Sequence, residues 1–304
     1  MEGIVLFNKP KNYTSYQIVE FFKKKTKKKV GHGGTLDPLA EGLLILGIGD
    51  YTKELNKFLK ESIKTYIAEI VLGARSTTYD REGKIYPNDD RINYPNIDRI
   101  KEVINSFIGE IEQIPPPFSA VKIKGKPAYL LARKGEKVEL KPRKVKIYEI
   151  KILNYNWPTL KIEVTCSSGT YIRSLANDIG EKLGCRGYLN DLKRTGINEF
   201  KVEQALTFED IENDFLEFYA KVYGRVQGVG YRYFVKEKAQ NLYIFGYVKN
   251  LEDGTVEVLA QGREENLQKL IEELKKGPYL AKVEKIDIIF RKPLEIFRNF
   301  EIKK

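Results

Sequence analysis

Apolar residues recur on one helical face after Thr14-Ser15, at Ile18, Val19, Phe21 and Phe22, and again from Asn96, at Ile97, Ile100, Ile104 and Phe107. A third stripe follows Thr170, at Leu175, Ile179 and Leu183, and the three predict amphipathic helices. Between them apolar and polar positions alternate. The segments TYIAEIVLG (65–73), KVKIYEIKIL (144–153) and LKIEVT (160–165) read as strands of a mixed, mostly antiparallel sheet. Helices inserted into such a sheet give an α+β fold.

Beyond residue 218 the pattern becomes short and regular. A strand (219–226) leads through a glycine loop (227–230) into a helix (231–242), then a strand (244–250), a turn at Asp253-Gly254 and a strand (255–261). A helix (264–276) and a strand (281–290) complete a βαββαβ, ferredoxin-like order. The Asp-Gly pair signals a hairpin, and Leu267, Leu270, Ile271 and Leu274 give the second helix its apolar stripe. The acid-rich stretch EDIENDFLEF (209–218) marks the boundary. The pattern thus predicts a first domain at 1–212, an acidic linker at 213–218, a second domain at 219–291 and a C-terminal tail at 292–304.

Composition removes several chemistries. One histidine, His32, and two cysteines, Cys166 and Cys185, fall short of a zinc site of the usual ligand count without several carboxylates. The cysteines are expected as reduced thiols in the core of a cytoplasmic protein, because the opening MEGIVLF lacks a leader pattern. The longest uncharged apolar run, LLILGIG (43–49), is too short to span a membrane. Lys and Arg number 53 against 42 Asp and Glu, a net charge of +11. Residues 1–208 hold 36 basic and 25 acidic groups and residues 219–304 hold 17 and 12, so both domains are basic and suited to a polyanion. Two runs stand out: six lysines at 23–29, and ten basic against two acidic residues at 121–146, interleaved with Tyr129. Such runs serve as solvated faces or as phosphate contacts.

Residues 31–44 read GHGGTLDPLAEGLL. The glycines permit close backbone approach, and Pro38 biases Asp37 toward an extended conformation on a stiff loop. Local pattern alone leaves Asp37 either a turn opener or a positioned acid. Together with NKPKNYTS (8–15), KTYIAEIVLG (64–73), PPPFSAVKIKGKPAYLLARKGE (115–136), SSGTYIRSLANDIG (167–180) and LKRTGINEF (192–200), the loop resembles the TruB family of tRNA pseudouridine synthases. The likeness runs in order across about 1–212.

The resemblance implies a pseudouridine-synthase fold and isomerisation of uridine 55 in the T loop of tRNA, with Asp37 as nucleophile, no cofactor, no metal and no obligatory protein partner. Converting an N-glycoside to a C-glycoside breaks C1′–N1 and joins C5 to C1′, and a carboxylate attacking the sugar or the base holds the intermediate. The base must first be flipped out of the folded loop. Tyr66, a core aromatic on pattern alone, would lie against that base and accept the C5 proton. Arg173 stands in the first turn of a predicted helix, where the macrodipole disfavours a cation, so an anion is expected beside it. The family implies Asp37, and another carboxylate is the alternative. Tyr171 would pack or hydrogen-bond beside this pair, and Leu192 would line the uracil pocket. His32 is either an RNA contact or a satisfied loop histidine. Lys9 and Pro10 match family positions that support the catalytic loop. The 121–146 run belongs to a family insertion that grips the T arm.

The segment VYGRVQGVGYRYFVKEKAQNLYIFGYVKNLEDGTVEVLAQG (222–262) resembles acylphosphatase, with the likeness covering 219–291. Gln227, Gly228, Val229 and Gly230 form a glycine-rich loop at a helix N-terminus, an anion cradle by its N–H groups and dipole. Arg232 again places a cation in a first helical turn. The resemblance implies that Arg232 grips the phosphoryl group of a small acyl phosphate and that Asn250 orients the attacking water. TruB-like chains usually continue into a PUA-type RNA-binding domain, whereas this one passes into the acylphosphatase-like unit. That unit is therefore expected either as a second enzyme or as an RNA-contacting module, the latter within a tRNA-binding folding chaperone.

Overall fold

The computed structural model describes residues 1–88, 94–119, 121–123, 126–128 and 140–304. Tyr129 and the central part of the 121–146 run fall outside the described residues. In chain order the elements begin with β1 (Gly3–Lys9), α1 (Ser15–Thr26), β2 (Val30–His32), β3 (Glu41–Ile48), α2 (Asn56–Lys60) and β4 (Ile63–Leu72). There follow β5 (Ala74–Ser76), β6 (Ile85–Pro87), α3 (Ile97–Asn105), β7 (Gly109–Gln113), β8 (Lys122–Ile123), β9 (Lys126–Pro127), β10 (Arg143–Asn156) and β11 (Thr159–Ser167). Next come α4 (Ile172–Leu183), β12 (Gly187–Ile197), β13 (Phe200–Lys201) and α5 (Phe208–Glu212). The last are β14 (Leu216–Arg225), α6 (Tyr231–Asn241), β15 (Phe245–Asn250), β16 (Val256–Gly262), α7 (Glu264–Lys276), β17 (Lys282–Arg291) and β18 (Phe300–Ile302).

The helices start where the capping residues place them. Thr14 Oγ1 accepts from the Gln17 N–H at 3.1 Å while the Thr14 N–H donates to Gln17 Oε1 at 2.8 Å, a capping box opening α1. Asn96 Oδ1 accepts from the Arg99 N–H at 2.9 Å and opens α3. The lysine run begins in the last turn of α1, where the macrodipole favours cations. Three of its members pair with Glu20, Glu264 and Glu2.

Two compact units result: residues 1–38, 42–58 and 200–304, and residues 39–41 and 59–199. This grouping differs from the division into 1–212 and 219–291 that the sequence suggests. In the first unit the sheet order is β18-β15-β16-β14-β17-β1-β3, with β2 on the far side of β3. The core of this sheet, β15-β16-β14-β17, is the antiparallel ferredoxin-like arrangement. The N-terminal strand β1 extends it by parallel pairing with β17, Ile4 opposite Ile289 and Val5 opposite Phe290. Val5, Phe7, Ile18 and Phe22 from the N-terminal segment share one hydrophobic core with Phe218, Val258, Leu270 and Phe290. Burial of a common apolar face explains why chain order and compactness part company here.

Both segments expected outside the domains are structured. Within 213–218, β14 begins at Leu216, and Glu217 is 1% exposed, ion-paired with Arg291 Nε at 2.6 Å and accepting from Gln261 Nε2 at 2.7 Å. The acid density there reads as a linker because sequence does not display the distant arginine that pairs with Glu217. Within 292–304, β18 pairs in parallel with β15, and Phe300 is buried in the core.

The second unit is an antiparallel sheet in the order β12-β4-β11-β10-β7, with α3 and α4 packed together and α4 against β12 and β4. Alternate residues of β4 are buried, so Lys64, Tyr66, Ala68 and Ile70 share one face. Cys166 and Cys185 are buried free thiols, and burial pushes Cys166 up to about 11.

Candidate active sites

Asp37 lies in the first unit on the loop joining β2 to β3. The loop is tied down next to it: Ser15 Oγ accepts from the Leu36 N–H at 2.9 Å and donates to the Leu36 carbonyl at 3.1 Å, and the Asn12 N–H donates to the Pro38 carbonyl at 2.8 Å. Gly34 holds φ at +120°, a conformation that side-chain-bearing residues rarely adopt. A half-buried carboxylate flanked by such anchors is held rather than freely solvated. Lys9 is completely buried, its ammonium donating to the carbonyls of Pro10 at 2.9 Å and Tyr13 at 2.6 Å, which fixes the turn carrying Asn12. His32 sits at the end of β2, opposite Leu46.

Tyr66, Tyr171, Arg173 and Leu192 belong to the second unit. Tyr66 is 7% exposed in the middle of β4, between Val164 of β11 and Arg194 of β12. Leu192, two residues before Arg194, lies opposite Ala68 and therefore shares the face of Tyr66. The guanidinium of Arg194 is fully buried and hydrogen-bonds the Tyr66 hydroxyl. Burial pulls Arg194 below its ordinary value, against the stabilising contact with Tyr66. Lys64 is held down at about 8, first by burial and then by the charge of Arg194, with its Nζ donating to Ser168 Oγ at 3.2 Å. Two cations thus stand on the buried face that carries the tyrosine.

Arg173 occupies the first turn of α4, as expected, and is 6% exposed. Within its own unit its Nη1 is 3.4 Å from Asp80 Oδ2, and its Nη2 donates to the Phe118 carbonyl at 3.0 Å. Asp80 is itself buried and oriented by Thr78 Oγ1 and the Glu82 N–H. Tyr171 precedes the helix, with its N–H and carbonyl clamped by the Gln113 side chain at 2.8 and 3.1 Å. Sequence reasoning missed Asp80, Arg194 and Lys64. Their signal was present, an Asp in the polar turn STTYDREG and two basic residues in otherwise core-facing strand positions, but it becomes legible only when register shows which side chains face inward.

The anion loop of the first unit connects β14 to α6. Gly228 and Gly230 hold φ at +71° and +76°, and Gly230 caps α6 with no side-chain cap hydrogen bond among the described residues. Gln227 Nε2 donates to the carbonyls of Leu251 and Thr255 at 2.9 and 2.8 Å, which fastens the loop to the β15–β16 turn. Arg232 is half-buried in the first turn, with no carboxylate partner among the described residues. Asn250 ends β15 with its Oδ1 buried and unpartnered among the described residues. An open helix N-terminus, a cation and a carboxamide at one end of the fold suit an anion and a polar nucleophile. Among the described residues no group of His, Cys, Asp or Glu could hold a metal, and no helix is long and apolar enough to cross a membrane.

Residues 22–172 match the TruB family pseudouridylate synthase (N terminal domain), residues 173–223 the tRNA pseudouridylate synthase B C-terminal domain, and residues 218–302 acylphosphatase. The tRNA pseudouridine synthase B of Aquifex aeolicus (strain VF5) is 48% identical over 213 residues, covering 69% of this chain and 73% of that protein. That of Parabacteroides distasonis (strain ATCC 8503 / DSM 20701 / CIP 104284 / JCM 5825 / NCTC 11152) is 45% identical over 224 residues, 70% of this chain and 93% of its own. Among solved structures, one chain of a Cbf5-Nop10-Gar1 complex covers 93% of this chain and 84% of its own at a TM-score of 0.55 and 24% identity, a likeness of fold. The chain therefore belongs to the TruB family of tRNA-modifying pseudouridine synthases and carries an acylphosphatase-like domain at residues 218–302.

Proposed function

We propose that the first activity is conversion of uridine 55 in the tRNA T loop to pseudouridine, with Asp37 as nucleophile. The observation that carries this reading is the Asp37 loop, fastened through Leu36 and Pro38 so that one carboxylate is presented on stiff backbone. The carboxylate adds to the flipped nucleotide, the C1′–N1 bond breaks, the uracil turns, and C5 bonds to C1′ as the bond to the carboxylate breaks and frees Asp37. The C5 proton leaves, and N1 gains one. Tyr66 accepts the C5 proton, and the Arg194 donor on its hydroxyl stabilises negative charge developing there. Leu192 borders the base, Arg173 orients the anionic groups, and His32 contacts the RNA. This reaction needs no cofactor and belongs in the cytoplasm with its tRNA. A T-arm hairpin carrying C5-tritiated uridine tests it: wild type releases tritium, and Asp37→Asn does not. Release unchanged by Asp37→Asn rejects the mechanism.

For the second domain, acyl-phosphate hydrolysis is the reading best supported by Arg232, a cation without a carboxylate partner among the described residues at an open helix N-terminus. The loop amides and Arg232 bind the phosphoryl group, and the Asn250 Oδ1 orients water toward it. Benzoyl phosphate turnover that disappears in Arg232→Ala supports the assignment, and turnover that survives removes it.

A further inference from the structure

The anion loop is surrounded by features that a small acyl phosphate does not require. β14 runs into the loop and β17 starts beside its end, with Arg225 opposite Lys282. The α7–β17 connection is at the same end, because a Cβ on Gly277 would lie 3.2 Å from the ring of Tyr231, the first residue of α6. That connection presents Tyr279 and Leu280, 101% and 61% exposed, and the first turn of α6 presents Tyr233 at 74%. Arg225, Arg232, Lys236 and Lys282 have no carboxylate partner among the described residues, although most lysines elsewhere on this domain are paired. Exposed aromatic rings at the same end as uncompensated cations and a glycine-rich loop at a helix N-terminus match the chemistry of an RNA strand, whose backbone takes the charges and whose bases stack on the rings. A protein partner of ordinary surface would leave the cradle and the surplus charge unused.

We propose that this end of the acylphosphatase-like domain is an RNA-binding surface, its loop receiving a backbone phosphate and Tyr233 and Tyr279 stacking on bases. The inference rests on the reading that the chain acts on tRNA. RNA and acyl phosphate then compete for one loop. The test is fluorescence anisotropy of a labelled tRNA transcript with the full chain, comparing wild type, Tyr279→Ala/Lys282→Glu and Tyr243→Ala. Tyr243 is 82% exposed but follows the opposite end of α6, so it serves as the control. All three substituted positions are exposed, and equal melting temperatures establish that the variants fold. The double variant is expected to bind tRNA at least about fivefold more weakly, given typical losses on removing a stacked ring and a phosphate contact. Its affinity should also fall less steeply with salt, while Tyr243→Ala stays within about twofold of wild type. Binding by the double variant within twofold of wild type overturns the proposal, as does an equal loss in Tyr243→Ala. Tritium release separates the two readings: wild type that binds tRNA without releasing tritium refutes the synthase mechanism and leaves the surface result standing.

Discussion

Arg194 stands directly across β12 from Tyr66 of β4 and hydrogen-bonds its hydroxyl from a fully buried position. A tyrosine in such a setting has its oxygen aimed and electrostatically supported by a guanidinium shut away from solvent. Tyr66→Phe is therefore expected to bind tRNA like wild type while tritium release falls roughly 10²–10⁴-fold, the usual scale for removing a positioned acid–base group. Release within threefold of wild type would assign Tyr66 to packing alone.

Lys64 offers a stability test with a defined sign. Its folded-state value of about 8 is lower than the ordinary 10.5, so the cost of burying its charge is full below pH 8 and is relieved as the pH rises toward 10.5. Replacing it by Met should stabilise the protein at pH 7 by on the order of 3 kcal/mol, less the lost bond to Ser168. That gain should shrink at pH 9.5. Urea unfolding at the two pH values measures it, and a gain independent of pH contradicts the assignment.

The Arg173–Asp80 pair is buried on both sides, with side chains 8% and 4% exposed. Removing Asp80 takes a buried carboxylate away from a buried guanidinium, so Asp80→Ala should cost up to about 3–5 kcal/mol. The double change Asp80→Leu/Arg173→Met should cost less than Asp80→Ala in urea unfolding, although it is expected to abolish tritium release. A double change that costs as much as the sum of the two single ones would show that the pair is not coupled.

Parallel pairing of β1 with β17 joins the strand before the Asp37 loop to the acylphosphatase-like domain. Phe290→Ala, in the shared core, should destabilise by about 3–5 kcal/mol. It should lower the thermal inactivation temperatures of tritium release and benzoyl phosphate turnover together. A chain ended after residue 215 should not yield a folded synthase. Recovery of full synthase activity from that shortened chain would show the two parts to be separable.

Phosphate binding at the anion loop should be visible without catalysis. Inorganic phosphate at 100 times its dissociation constant should stabilise the first unit by about 2.7 kcal/mol, and Arg232→Ala should erase that shift at matched ionic strength. A shift of equal size in the variant would move the site elsewhere.

Local signals were enough for the elements. Thr14, Asn96 and the Asp253-Gly254 turn fix chain direction through hydrogen bonds spanning a few residues, and the alternation in β4 announces a strand with two unlike faces. The motif around Asp37 and the glycine loop before Arg232 were legible for the same reason: each is a continuous segment whose backbone demands particular residues. Tertiary structure decided what those segments meet. Asp80 lies 93 positions from Arg173, Arg194 lies 128 from Tyr66, and β1 finds β17 across nearly the whole chain. Such pairings depend on strand register and on which apolar faces are buried together, and neither is written in the neighbourhood of any one residue. Thus the acids at 213–218 suggested a linker from composition, whereas pairing with the half-buried Arg291 made one of them, Glu217, part of the core.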